Sequence, residues 1–185
     1  LHGLPAAVSI FGSARTASTD PMYRAAERIA RDLAERGFAV ITGGGPGMME
    51  AANKGAYESG KSPSIGLNIV LPFEQVTNKY ATSNFVFSNL SARKFALIEC
   101  SSAFLVFPGG FGTLDEFFEI LVLVQTGFKR AQIYLYDEEF YAPLMEFFRT
   151  SLLKSGAINE EDMQNFKLCD SVDEILTDVR RKENE

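Results

Sequence analysis

Two glycine-rich segments contain the residue types that bind anions. The first segment, 43–47 (GGGPG), follows the apolar run 39–42, and the second, 108–113 (PGGFGT), follows the apolar run 103–107. A glycine loop between a buried strand and a helix leaves backbone N–H groups and the positive helix end available to a negative charge. The pair of loops therefore indicates a phosphorylated small molecule bound at the edge of a sheet.

Two charged side chains accompany the second loop. Glu116 stands three residues after Thr113, which is the spacing of a capping box, where the glutamate stabilises the start of a helix. On the residues alone this interpretation is favoured, and the alternative is a carboxylate facing the sugar of a bound nucleotide. Arg93, at the start of a predicted helix whose apolar residues indicate that it is largely buried, is either a surface charge or a guanidinium that pairs with phosphate or orients Glu116.

Other positions near the two loops also have two interpretations. Gly12 and Ser13 follow the first predicted strand, and they form either an ordinary turn or another backbone donor and hydroxyl at the same edge. Met48 either packs in the core, which is favoured, or borders a base pocket. Lys94 is expected to point to solvent, and Asp115 to be a solvated residue that benefits from the helix dipole.

Two nucleotide-binding signatures are matched in the wrong context. Residues 55–62 match the P-loop pattern GxxxxGK[ST], but they close a helix and lead into a strand, which is the reverse of a P-loop. In the first glycine loop, the third glycine of a dinucleotide fingerprint falls on Met48. Asn68 stands where an acidic residue would hold the ribose. We therefore expect neither a P-loop nor an NAD(P) site.

The elements that must position these groups alternate along the chain. Continuously apolar strands separated by helices indicate an α/β fold, a doubly wound, Rossmann-like and mainly parallel sheet with helices on both faces and ligands at the carboxyl ends of the strands. Residues 1–185 are expected to form a single domain with a frayed tail at 180–185. Strands are predicted at 7–11, 38–42, 64–70, 84–88, 103–107 and 132–136. Helices are predicted at 21–36, 48–59, 91–100, 113–125, 138–154 and 172–181. The first of them is marked by Asp20 as its N-cap, Pro21 as its first residue and Gly37 after its end.

Composition argues against several classes of function. A net charge of −6 without a basic stripe disfavours nucleic-acid binding, and no stretch approaches the roughly 20 apolar residues of a membrane span. His2 is the only histidine, which disfavours histidine-based catalysis and histidine-rich metal sites. Cys100 and Cys169 are interpreted as buried free thiols, and with no visible secretory signal they indicate a reducing cytoplasm.

The constellation resembles the LOG family of cytokinin riboside 5′-monophosphate phosphoribohydrolases, long labelled "possible lysine decarboxylase". That family carries the motif PGGxGTxxE, which is present here at 108–116. It also carries an Arg-Lys pair, here Arg93 and Lys94, and a GGGxxGxM-like loop, here at 43–50. The similarity extends over residues 9–127, and the form of the first loop is closer to the bacterial subgroup.

The resemblance implies a homodimeric, cytoplasmic enzyme that hydrolyses the N-glycosidic bond of a nucleoside 5′-monophosphate, such as AMP or N6-modified AMP, to free base and ribose 5-phosphate. No metal or other cofactor is implied. The family's catalytic arginine and glutamate correspond to Arg93 and Glu116, which favours the functional interpretation of Glu116. Many plant members have a histidine shortly before the Arg-Lys pair that is absent here, so the preferred base stays open. The implied phosphate- and substrate-binding residues are Gly12, Ser13, Gly44, Gly45, Met48, Lys94, Pro108, Gly109, Gly110, Gly112 and Thr113.

Two other functions compete with this interpretation. Related Rossmann-like proteins bind nucleotides or molybdopterin without catalysis, so a non-catalytic carrier is the main alternative. A lysine decarboxylase dependent on pyridoxal phosphate is disfavoured, because the sequence shows no candidate lysine accompanied by a partner for the pyridine nitrogen.

Overall fold

The computed structural model describes residues 3–70 and 77–179, and within these ranges it contains one sheet of seven parallel strands. Six of the strands were predicted. The seventh, β7, was missed because three residues are too few to show an apolar pattern. The strands are Ala7–Phe11 (β1), Ala39–Thr42 (β2), Ser64–Ile69 (β3), Ser83–Phe87 (β4), Ala103–Val106 (β5), Gln132–Tyr136 (β6) and Lys167–Cys169 (β7).

The helices on either side of the sheet begin close to their predicted positions, with one exception at the second glycine loop. Asp20 caps the first helix by accepting a hydrogen bond from the Met22 N–H, and Pro21 is its first residue. Gly37, with a φ of 83°, follows its end. The helices are Pro21–Glu35 (α1), Met48–Ser59 (α2), Leu90–Glu99 (α3), Phe111–Gln125 (α4), Glu138–Phe147 (α5) and Val172–Asp178 (α6).

The strand order is β4-β3-β2-β1-β5-β6-β7, so the direction of winding reverses between β1 and β5. Helices α1, α2 and α6 pack on one face of the sheet, and α3, α4 and α5 pack on the other. This is the doubly wound, Rossmann-like α/β fold predicted from the sequence. At such a reversal the helices leave neighbouring strands toward opposite faces, which opens a crevice at the carboxyl ends of the strands.

Two helical predictions were wrong in detail. The helix predicted at 138–154 is α5 followed by a π-helical segment, Phe148–Leu153, and apolar periodicity does not separate these two forms. Helix α3 is not largely buried, because Phe95 is 66% exposed and only Leu97 and Ile98 are buried. The predicted end of the last helix at 181 and the predicted tail at 180–185 lie outside the described residues, as does His2.

The residues that match the P-loop pattern end a helix, as predicted. Helix α2 stops at Ser59, and Gly60 terminates it in the left-handed conformation with a φ of 62°. The Gly60 N–H bonds back to the Tyr57 carbonyl, so this glycine is a helix terminator.

Cys100 and Cys169 are both free, and Cys169 is buried. Within the described ranges, no helix combines the length and the apolar character needed to span a bilayer.

Two glycines with positive φ provide a matched test of local packing. A methyl group at Gly60 would meet open space, whereas one at Gly44 would collide with the Asn68 side chain. We expect Gly60→Ala to lower the free energy of unfolding by about 1–2 kcal/mol, the cost of the left-handed backbone. Gly44→Ala should cost a further 1–3 kcal/mol or so, because the collision adds overpacking. Urea unfolding of both variants measures the difference, and equal losses would contradict the packing at Gly44.

Candidate functional site

Three loops meet at the reversal of strand order. The Ser13 N–H, just after β1, donates to the Pro108 carbonyl at 3.0 Å, and the Met48 N–H donates to the Ser13 carbonyl at 3.0 Å. A side chain on Gly12 would collide with Met48, so this glycine permits the close approach. The predicted convergence of Gly12, Ser13 and the two glycine loops at one edge is therefore present in the structure.

The second glycine loop leads into an uncapped helix start. Gly110 is the N-cap of α4, and among the described residues no side chain caps the first N–H groups of this helix. Around Gly110 and Gly112, the described part of the chain leaves open the space that a Cβ would occupy. Thr113 is buried and packs against Gly109. The first amides of α4 are therefore arranged as the expected anion site requires.

The capping box expected at Thr113 and Glu116 was wrong. Helix α4 begins at Phe111, so Thr113 is its third residue and Glu116 lies a full turn inside. The spacing Thr-x-x-Glu stabilises a helix start only when the threonine is the N-cap residue. Here Gly110 is the N-cap residue, so Glu116 does not have the capping role that the residues alone favoured.

Glu116 is a partly buried carboxylate under two opposing influences. Burial raises its pKa to about 7, and the positive charge of Arg93 counteracts this shift. The neighbouring carboxylates of Asp115 and Glu119 raise the pKa further, whereas Lys94 lowers it. A carboxyl group with a pKa near neutrality can exchange protons under physiological conditions, which is the property required of an acid or base catalyst.

Arg93 reaches from α3 across the carboxyl edge of the sheet. Its Nε donates to the carbonyl of Leu67 in β3 at 2.7 Å. Its guanidinium lies against Gly43, where a methyl group would collide with it. Burial lowers the pKa of Arg93, and the opposite charge of Glu116 counteracts this shift. The structure thus brings Arg93 and Glu116 together in one electrostatic environment, from sequence positions more than 20 residues apart.

Lys94 does not point to solvent as expected. Its Nζ lies 3.0 Å from a carboxylate oxygen of Asp115 and also pairs with Glu119, so it joins α3 to α4. The hydrogen bond to Glu119 is the largest cause that raises the pKa of Lys94, and the hydrogen bond to Asp115 also raises it. Partial burial lowers this pKa but does not outweigh the two contacts. Asp115 is exposed, as expected, and serves as one of the two partners. The lysine therefore holds the two helices that carry Arg93 and Glu116.

The first glycine loop is closed rather than open. Gly44 and Gly45 are buried, and the Gly44 N–H donates to Thr42 Oγ1 at 2.9 Å. Asn78 donates through its backbone N–H to the Gly44 carbonyl and through its side chain to the Gly45 carbonyl, both at 3.0 Å. These polar groups are used within the protein, which distinguishes this loop from the uncapped start of α4.

Met48 is 1% exposed and belongs to the core, which was the favoured alternative.

Sequence reasoning overlooked Asn53 and Asn78, whose side chains are buried beneath the first loop. The sequence offered a signal for Asn53, which is a polar residue among the alanines of an otherwise apolar helix face. It offered no comparable signal for Asn78. In the described ranges, no group of three or more His, Cys, Asp and Glu side chains is placed to hold a metal ion.

The family described as "Possible lysine decarboxylase" matches residues 49–179, which include both Arg93 and Glu116. The chain belongs to this family. It is 26% identical over 172 residues to the rice protein named "Probable cytokinin riboside 5'-monophosphate phosphoribohydrolase LOG4", covering 92% of the chain and 74% of that protein. It is 25% identical over 183 residues to the cytokinin riboside 5′-monophosphate phosphoribohydrolase of Rhodococcoides fascians, covering 95% of the chain and 90% of that protein.

Solved structures share the fold. The molybdenum cofactor carrier protein of Chlamydomonas reinhardtii superposes with a TM-score of 0.65, at 23% identity and over 94% of each chain. At this level of identity the likeness establishes the Rossmann-like architecture and no more.

The raised pKa of Glu116 predicts how a substitution changes stability with pH. The folded state holds this proton more tightly than the unfolded chain, since the pKa rises from 4.5 to about 7. Stability is therefore lost as the pH rises from about 4.5 to 7, and the full loss persists above that range. Glu116→Gln, which cannot ionise, should raise the free energy of unfolding at about pH 8 by on the order of 1–3 kcal/mol, with little change near pH 4.5. Urea unfolding at both pH values measures this, and an equal gain at the two would contradict a charge effect.

Proposed function

We propose that the protein is a phosphoribohydrolase that cleaves the N-glycosidic bond of a nucleoside 5′-monophosphate, releasing free base and ribose 5-phosphate. The observation that carries the proposal is the Glu116 carboxyl group, which lies one turn inside the start of α4, where burial raises its pKa to about 7 and the charge of Arg93 acts on it. The phosphoribohydrolase names of relatives at about 25% identity support this choice.

In the proposed complex, the substrate phosphate binds the N–H groups of Gly109, Gly110, Phe111, Gly112 and Thr113. Pro108 has no N–H to donate to the phosphate, so its proposed contribution is to the shape of the loop. A phosphate at this helix start gains from both the free amides and the helix dipole. It fixes the ribose relative to Glu116, so that binding energy far from the reacting bond is used for orientation.

Glu116 and Arg93 then perform the chemistry of the glycosidic bond. As the bond between the base and the ribose C1′ breaks, positive charge develops on the sugar ring, and the ionised carboxylate of Glu116 stabilises it. Glu116 also takes a proton from the water whose oxygen adds to C1′, and it later returns that proton to solvent. The departing base takes its proton from solvent water. Arg93 orients Glu116 or pairs with the phosphate. This route uses no metal or redox cofactor.

We also propose that the enzyme is a homodimer that acts on AMP or an N6-modified AMP. Helix α4 supports the dimer, because it carries apolar side chains on its uncovered face: Phe111 is 93% exposed, Val122 is 52% exposed and Phe118 is 38% exposed. Uncovered apolar surface of this kind marks association sites in soluble proteins.

A nucleotide or molybdopterin-cofactor carrier is the second candidate function. It is considered because the molybdenum cofactor carrier protein has the same fold, and because a carrier would also use the anion site at the start of α4. A carrier needs an anion site but has no need of an ionisable carboxyl group beside that site. Glu116 is therefore the feature that favours the hydrolase.

Release of adenine from AMP tests the proposed function. We expect the protein to liberate adenine and ribose 5-phosphate, and Glu116→Gln or Arg93→Ala to lower kcat/KM by at least about 100-fold, because each removes a charge used in the transition state. Chromatography of the products measures both. Glu139→Gln, which changes an exposed carboxylate at the start of α5, is the control and should retain activity. If no nucleoside monophosphate is hydrolysed, the carrier function is favoured.

The pH dependence of the rate reports the same carboxyl group. Since Glu116 acts when ionised and its pKa is about 7, kcat/KM should rise with pH and reach half its maximum near pH 7. Initial rates with AMP between about pH 5 and 9 measure this profile. A rate that is flat below pH 7 would show that another group performs the proton transfer.

A further inference from the structure

A continuous set of buried hydrogen bonds surrounds the first glycine loop. The Gly44 N–H donates to the Thr42 hydroxyl, which in turn donates to Asn53 Oδ1. Asn78 Nδ2 donates to the same Oδ1 atom and to the Gly45 carbonyl, each at 3.0 Å. The Asn78 N–H donates to the Gly44 carbonyl, so the chain of hydrogen bonds returns to the loop and forms a closed circuit. Thr42, Asn53 and Asn78 are each at most 5% exposed.

The lower part of this network is tied to the sheet. Asn53 Nδ2 donates to the Ser64 hydroxyl at 2.9 Å and to the Ile65 carbonyl at 3.3 Å, and the Ser64 hydroxyl donates to the Asn53 carbonyl. The side-chain donors and acceptors of Asn53 are therefore all bonded to β2, β3 or Asn78. A fully satisfied buried polar network of this kind specifies one arrangement of the backbone that it holds.

The backbone held in this way is the surface on which Arg93 lies. The guanidinium packs directly against Gly43, and its Nε is bonded to Leu67 in β3. Gly43 stands between Thr42 and Gly44, both of which take part in the network. A shift of the loop at these two positions therefore displaces the surface that holds Arg93.

We propose that Thr42, Asn53 and Asn78 are positioning residues: their hydrogen bonds fix the first glycine loop, which supports Arg93 in the position from which its charge acts on Glu116. The inference rests on the proposed function for its meaning in catalysis, because Arg93 and Glu116 are the groups that act. It assigns the first loop a different task from the second. The second loop binds the phosphate, and the first loop holds the cation of the catalytic pair.

The charged groups around Glu116 show why this positioning can be measured. Arg93 and Lys94 face it from α3, and Asp115 and Glu119 face it from its own helix. Lys94 is held by the two carboxylates of α4, independently of the first loop. Of these four charged residues, Arg93 is the one whose side chain lies against Gly43 of that loop. Loosening the network therefore weakens one attraction to the Glu116 carboxylate and leaves the other three interactions in place, so the carboxyl group should titrate at higher pH.

Substitutions at Thr42 give the sharpest test, because valine has the same shape without the hydroxyl. Thr42→Val breaks the circuit at Gly44 and Asn53, whereas Thr42→Ser keeps the hydroxyl and should rescue the defect. Asn78→Ser interrupts the same circuit at a second point and should reproduce the effect of valine. Ile29→Val, which removes a methyl group from a buried residue of α1 that takes no part in the hydrogen-bond network, is the control for a general loss of stability.

Two measurements are made on the purified full chain. In the first, carboxyl ¹³C NMR follows the titration of Glu116, whose signal is assigned by its loss in Glu116→Gln. In Thr42→Val and Asn78→Ser we expect the midpoint to rise by about half a pH unit or more, and in Thr42→Ser and Ile29→Val to stay at the wild-type value. In the second, AMP hydrolysis should fall by about 10- to 100-fold in kcat/KM in the first two variants, with the midpoint of the rate profile moved in parallel.

The outcomes separate this inference from the proposed function. A Glu116 midpoint that is unchanged in Thr42→Val and Asn78→Ser overturns the positioning role, even if the wild-type protein hydrolyses AMP. The same shift in Ile29→Val as in Thr42→Val also overturns it, because the effect would then follow from lower stability alone. If the wild-type protein hydrolyses no nucleoside monophosphate but the NMR midpoints move as expected, the positioning role stands and the proposed function fails.

Discussion

The reversal of strand order between β1 and β5 is the constraint on which the site depends. Parallel strands place all their carboxyl ends at one edge of the sheet, and the reversal sends the following helices to opposite faces. The loops after β1, β2 and β5 therefore meet in one crevice, where Ser13 is bonded to both Pro108 and Met48. Every candidate side chain reaches the site from an element whose position follows from this topology.

Placing charged groups in this crevice costs solvation energy, and the arrangement offsets that cost in two ways. Lys94 is paired with two carboxylates, so it links α3 to α4 at little electrostatic expense. Arg93 and Glu116 are less completely compensated, and burial shifts the pKa of each toward its neutral form. The charged residues of the two motifs thus differ in their surroundings: Lys94 joins two helices through its ion pairs, whereas Arg93 and Glu116 are poorly solvated and less completely compensated.

The two glycine loops also differ in what glycine does for them. In the second loop, Gly110 and Gly112 leave space around the free amides of a helix start, which suits a ligand. In the first loop, Gly43 and Gly44 make room for side chains of the protein itself, Arg93 and Asn68. Composition does not distinguish these uses, because both depend on the absence of a Cβ atom and differ only in what occupies the space.

The sequence by itself determined the layout of the fold. Continuous apolar runs and helix signals such as Asp20, Pro21 and Gly37 located six of the strands and the six α-helices of the described residues, because these patterns reflect local backbone preferences and burial. The order of elements was enough to predict a doubly wound sheet and the edge at which its loops converge. The motif at 108–116 also identified the family, because a motif of adjacent residues can be read directly from the sequence.

Only the tertiary structure decided which residues within those motifs are free to act. Thr113 could cap a helix only if α4 began directly after it. In the structure α4 begins at Phe111, with Gly110 as its N-cap residue. The partners of Lys94 come from a different helix. The support beneath the first loop comes from Asn53 and Asn78, one of them in a helix and the other in a later connection. Such contacts join residues far apart in the chain, so local sequence patterns carry no record of them until the sheet brings them together.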